Sequence, residues 1–166
     1  MAISGACSPS PKIGVSDPAP PSSSSLATTT SLQPPVATQR VCTEESVRRV
    51  VDAFLSAYNA GESNLSERFF GGSFLWYADE GRLREESMSQ TTLNAYFATR
   101  HSTGDQLVLQ KFDFYGESPF DFSGGVGTTL LRTDNRSPEP RVFGFKAAID
   151  CPSHRIKVWS MGEIPA

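Results

Sequence analysis

The chain has 166 residues, enough for one domain of ordinary size together with a tail. Its 15 Lys and Arg against 18 Asp and Glu leave a net charge of -3, which excludes a bulk electrostatic nucleic-acid binder, since such proteins present a basic face. Hydrophobic residues make up only 38%, so part of the chain stays outside any core, and no apolar run reaches the roughly 18 residues that a membrane-spanning helix needs.

The low apolar fraction is concentrated at the front. Residues 1–40 hold 7 of the 12 prolines, 9 serines and 4 threonines, and no Phe, Trp or Tyr. Lys12, Asp17 and Arg40 are their only charges. A segment of this kind buries too little apolar surface to offset its conformational entropy, so 1–40 is expected to be a disordered tether and 41–166 the folded domain. Within the tail, Ile3-Ser4-Gly5-Ala6-Cys7 resembles a bacterial lipoprotein cleavage box. That resemblance implies a lipid on Cys7, attachment to a membrane and an extracytoplasmic location. The alternatives are a lone cysteine in a tail of a cytoplasmic chain, or a Ser-rich, acid-poor transit segment that is short of arginine.

The folded part opens on Cys42, which pairs with Cys151 in one of two readings. In an oxidising compartment the two form a disulfide closing a loop of about 110 residues; otherwise they are separate buried thiols. No cluster of Cys and His at metal-ligand spacing accompanies them, so neither a metal nor a cofactor is expected. Thr43 is a candidate N-cap with Glu44 and Glu45 in the first turn. Val47, Val50, Val51, Phe54, Leu55 and Tyr58 then recur with a helical period, closed by Gly61. A short helix is predicted over Leu65–Phe70, stopped by Gly71-Gly72. A strand follows at Phe74–Ala78, a turn at Asp79-Glu80-Gly81 and a polar return strand at Arg82–Glu86. Ser89 caps a third helix with Leu93, Tyr96, Phe97 and His101 on one face, ending near Gly104.

From there the pattern is one of strands. Leu107 and Leu109 alternate, Phe112 and Phe114 alternate in the opposite phase, and the change predicts a bulge near Gln110-Lys111. Further strands are expected over Phe122–Thr133, Arg141–Asp150 and Arg155–Met161, joined at Asn135–Pro140 and Cys151–His154. The fold class is therefore α+β, with three N-terminal helices packed on one face of a strongly curved, mostly antiparallel sheet. Gly124-Gly125-Val126-Gly127 precedes no helix and is not a nucleotide loop; its glycines are expected to let a strand bend.

The order of elements resembles the NTF2-like superfamily, including its SnoaL-like and ketosteroid-isomerase branches. The run Val50-Val51-Asp52-Ala53-Phe54-Leu55-Ser56-Ala57-Tyr58-Asn59-Ala60-Gly61 carries the likeness, with Phe69-Phe70 and Phe74-Leu75-Trp76-Tyr77 after it. The resemblance implies a cone: a long helix and two shorter ones enclosed by a bent sheet around an apolar hollow. Its members include isomerases, dehydratases, cyclases and non-catalytic binding or dimerising modules, so the fold alone selects no function.

An isomerase of this family needs a carboxylate base on the first strand and a tyrosine on the first helix to meet the enolate oxygen. The likeness places Phe54, which cannot donate, at the tyrosine position, and Tyr77 near the base position, with Asp79 at the turn. Another acid–base group remains conceivable in Asp113, Tyr115 and His101, provided His101 approaches Asp113. Phe54, Tyr58, Trp76, His101, Asp113 and Tyr115 together are the candidate ligand pocket. The expected function is a non-catalytic, exported, tethered domain that binds a small apolar ligand or a protein partner, a homodimer by analogy. The alternatives are a SnoaL-like enzyme acting on a hydrophobic carbonyl compound and a structural dimerisation module. The last is favoured if side chains fill the cone.

Overall fold

Thr43 opens the first helix by a reciprocal cap. Its hydroxyl accepts from the Ser46 N–H while the Ser46 hydroxyl accepts from the Thr43 N–H, both at 3.2 Å. The helix α1 runs Glu44–Asn59 and buries Val47, Val50, Val51, Phe54, Leu55 and Tyr58, the stripe that the helical period predicts, together with Ala57. Gly61 follows with φ of +71°, a left-handed position that glycine adopts without Cβ strain. The computed structural model describes residues 42–80, 83–118 and 121–165. The tail 1–40, with Cys7, lies outside the described residues.

After α1 come α2 (Leu65–Phe69), β1 (Phe70–Glu80), β2 (Leu83–Ser87), α3 (Gln90–Ser102), β3 (Gln106–Glu117), β4 (Ser123–Asp134), β5 (Ser137–Asp150) and β6 (Arg155–Glu163). The strands form one sheet in the order β2-β1-β6-β5-β4-β3, with β1 and β6 parallel and every other pair antiparallel. The fold is α+β with a curved, mostly antiparallel sheet. Strand β1 starts four residues earlier than the sequence pattern suggests. Gly71 and Gly72 do not end it, because the β1–β6 register shifts between Phe70 and Leu75 and the irregularity absorbs them. In β3 the register shifts between Leu109 and Lys111, where the alternation of apolar residues changes phase. The shift keeps Leu107, Leu109, Phe112 and Phe114 on the face that packs against the core.

Glycines in β4 permit close approach. A Cβ at Gly124 would lie 2.5 Å from Val47 Cγ2 and 2.7 Å from Cys42 Sγ, so the N-terminal end of α1 rests against this strand. Cys42 and Cys151 are joined by a disulfide across 109 residues, with Cα atoms 5.4 Å apart, tying the start of α1 to the β5–β6 turn. At the other end of α1, the Asn59 side chain donates to the Leu107 carbonyl and accepts from the Leu107 N–H, each at 2.8 Å.

Aromatic rings crowd the space between α1 and the sheet. Around the Phe54 ring stand Phe69 at 5.5 Å, Phe97 and Tyr58 at 6.0 Å, Phe70 at 6.1 Å and Phe145 at 6.2 Å between centroids. Trp159 continues the cluster against Trp76, Tyr96, Phe97 and Phe145. Edge-to-face and tilted contacts of this kind add about 0.5–1.5 kcal/mol per pair beyond the area they bury.

Candidate functional site

The face of the sheet turned away from the helices is built by strand alternation. Inward residues of β4 and β5 are Val126, Thr128, Leu130, Phe143, Phe145, Ala147 and Ile149, so Gly125, Gly127, Val142, Gly144, Lys146 and Ala148 point outward. Register carries one outward row across four strands, from Leu75 through Val158 and Ala148 to Gly125. A second row runs from Tyr77 through Ser160, Lys146 and Gly127 to Asp113. The Tyr115 side chain lies over Gly125 and Gly127, the approach these glycines permit. Leu75 (37% exposed), Val158 (41%) and Tyr115 (66%) give this face an apolar surface of small and large residues.

This geometry breaks up the pocket expected from sequence. Phe54, Tyr58 and Trp76 are buried inside the ring cluster. Asp113 and Tyr115 alternate with the inward Phe112 and Phe114 and so stand on the opposite face of the sheet, where Asp113 pairs with Lys111 at 2.8 Å. His101 ends α3 beside the Tyr58 ring, 5.1 Å between centroids. The six residues form no common site, and His101 and Asp113 belong to different sides of the sheet.

The structure instead gathers a polar group that the sequence reading missed. Asp105, Arg132 and Tyr58 are all fully buried. The Arg132 guanidinium grips the Asp105 carboxylate with two bonds, Nε to Oδ1 at 2.8 Å and Nη2 to Oδ2 at 2.6 Å. The Tyr58 hydroxyl donates to Oδ2 at 2.5 Å. Arg132 also lies over the Phe143 ring at 4.9 Å. Burial first, and the Asp105 charge second, push the Tyr58 phenol well above its ordinary pKa, so it stays protonated and acts as a donor. Two bonds from one guanidinium and one from a phenol pair the buried carboxylate, which is the condition under which a buried charge is tolerated. One sequence signal marked Arg132: it shares the inward phase of Val126 and Leu130. Asp105 precedes its strand and carries no periodic signal at all.

Two polar atoms at the edge of this group have no hydrogen-bond partner among the described residues, His101 Nε2 and Asn94 Oδ1. Both side chains line a crevice of about 270 Å³ between α3 and the segment Gly61–Ser63. Desolvation holds His101 below its ordinary pKa, against the pull of the Asp105 charge.

Solved structures share this arrangement of helices and sheet. A chain of the yeast complex between a deubiquitinase and its cofactor matches with a TM-score of 0.63 at 12% identity, over 76% of this chain and 100% of that one. An NTF-2 like protein of unknown function from Burkholderia xenovorans matches at 0.52 and 14% identity, over 74% and 86% of the two chains. A protein of the SnoaL-like family from Agrobacterium tumefaciens matches at 0.52 and 11%, over 73% and 99%. The chain has an NTF2-like fold. No family model matches its sequence, and no curated protein does. At these identities the likeness concerns the NTF2-like fold alone, and the function has to be argued from the surfaces of this chain.

Proposed function

We propose that residues 41–166 are a non-catalytic, exported NTF2-like domain, tethered by residues 1–40 and a lipid on Cys7, that docks a second copy of itself through the outer face of its sheet. One observation carries the reading: aromatic rings crowd the space between α1 and the sheet, while the outer side exposes Leu75, Val158 and Tyr115 around Ala148 and nearby glycines. The outer face also carries both signs of charge, Lys111 and Lys146 with Asp113 and Asp79, which suits a twofold pairing of one surface with itself. The Cys42–Cys151 disulfide supports export, because structural disulfides persist in oxidising compartments.

Gel filtration of the full chain tests the proposal. Wild type is expected at twice 18.0 kDa. Val158→Asp, which buries a charge in the paired face, is expected at the monomer mass with unchanged circular dichroism. A wild-type chain that elutes as a monomer at every loading would end this reading.

A second reading, a SnoaL-like enzyme acting on a hydrophobic carbonyl compound, is favoured by the unpartnered His101 Nε2 beside a crevice and next to the Tyr58–Asp105 pair. Titration with a cyclic enone decides it: the enzyme reading requires shifts of the His101 imidazole signals, and unmoved signals refute it.

A further inference from the structure

A groove of about 500 Å³ opens on the helix side, away from the outer sheet face, between the first half of α1, the end of α2 and the β5–β6 turn. Its size falls within the range of small-molecule sites. Val50, Ala53 and Phe69 give it an apolar floor, and Arg49, Arg68, His154 and Arg155 stand around it. No acidic side chain among the described residues lines it.

The three arginines are held differently. Arg68 is engaged by Glu62 at 2.6 and 2.9 Å and lies over the Phe69 ring at 4.9 Å. Its charge is therefore largely answered. Arg49 meets Glu45 only at 4.0 Å, with both side chains mostly in water. Arg155 donates to the carbonyls of Glu67 and Arg68, where α2 ends. Those acceptors are neutral, so they orient the guanidinium without cancelling its charge. Gly71 makes room for its stem, since a Cβ there would lie 3.2 Å from Arg155 Cγ. Next to it His154 holds φ at +57°, a left-handed conformation that is unfavourable for a residue with a Cβ. A pre-oriented arginine, a histidine held in an unfavourable backbone state and an apolar floor converge on one groove.

We infer that this groove binds an organic anion, a charged head carried on an apolar chain, with Arg155, Arg49 and His154 meeting the head and Val50 and Phe69 the chain. A guanidinium presents parallel donors to a carboxylate or phosphate, which a neutral polar head does not match. The site goes beyond the docking role proposed above and shares no residue with the outer sheet face, so either can fail without the other.

Titration of the full chain with decanoate, followed by amide NMR, tests the inference, with decanol and inorganic phosphate as the two half-ligands. Saturable shifts at Ser46, Arg49 and Ser153–Arg155 are expected with decanoate, and binding at least about tenfold weaker with either half-ligand. Arg49→Glu, an exposed position, is expected to weaken decanoate about tenfold or more while leaving the urea midpoint unchanged. Arg155→Lys keeps the charge and loses the parallel donors, and is expected to weaken it as well. Absence of saturable binding, shifts located elsewhere, decanol or phosphate binding as tightly as decanoate, or an Arg49→Glu variant with wild-type affinity would each overturn it.

Discussion

Replacing Arg132 by leucine isolates the energetics of the buried polar group. The guanidinium and the Asp105 carboxylate are both 0% exposed, and two bonds of 2.6 and 2.8 Å join them. Leucine removes both bonds and leaves a carboxylate in an apolar interior with the Tyr58 hydroxyl still donating to it. Removing one partner of a buried ion pair costs about 3–5 kcal/mol, because the surviving charge is left uncompensated. Removing both is a different perturbation. In Arg132→Leu/Asp105→Leu no charge remains, and the loss reduces to packing and to the single Tyr58 bond, about 1–3 kcal/mol. The double variant is therefore expected to be more stable than Arg132→Leu alone. Urea unfolding followed by circular dichroism reads this directly, with the denaturant slope held as a check on two-state behaviour. An Arg132→Leu loss below about 1 kcal/mol, or a double variant as unstable as the sum of the two single ones, would refute the reasoning.

Reducing the Cys42–Cys151 disulfide, or replacing both residues by alanine, is expected to cost up to ~4–5 kcal/mol, because it reopens a loop of 109 residues in the unfolded chain; urea unfolding with and without dithiothreitol measures it. Gly124→Ala drives a methyl group against Val47 and Cys42 and is expected to destabilise by about 1–3 kcal/mol, whereas Gly127→Ala meets only the exposed Tyr115, which can swing aside; thermal melts of the two variants should differ in that order. His101 has a folded pKa below its unfolded value near 6.5, so the unfolded chain takes up a proton that the folded one resists, and stability falls as pH drops from about 7 to 5. His101→Phe should flatten that slope in urea titrations, and an unchanged slope would contradict it. At the alkaline end the sign reverses. The raised Tyr58 pKa lets the unfolded chain lose a proton first, so stability declines as pH rises past about 10, and Tyr58→Phe should blunt the decline.

Helix α1 could be read from sequence because its stripe is local: six apolar positions on one period, all buried, a Thr43 cap and Gly61 after it. The shift inside β3 was equally local, since a change of phase between Leu109 and Phe112 can only be absorbed by an extra residue. That same phase change already placed Asp113 and Tyr115 opposite Phe112 and Phe114, so grouping them with Phe54 and Trp76 contradicted the alternation. The sheet order was not readable, because the parallel β1–β6 pair joins strands from opposite ends of the domain and leaves no short-range mark. The ring cluster was hidden for a related reason. Whether Phe69, Phe97 and Phe145 meet around Phe54 depends on how tightly the sheet curls, which composition does not encode. Asp105 escaped because it sits in a turn, between Gly104 and β3, where an acidic residue is ordinarily solvated.

Sedimentation equilibrium of the full chain across a wide range of concentrations bears most directly on the outer sheet face as the working surface. The account predicts a mass of twice 18.0 kDa that falls towards 18.0 kDa on dilution, and a single 18.0 kDa species throughout for Val158→Asp. A wild-type chain that stays at 18.0 kDa throughout, or a Val158→Asp chain that pairs as well as wild type, would contradict it.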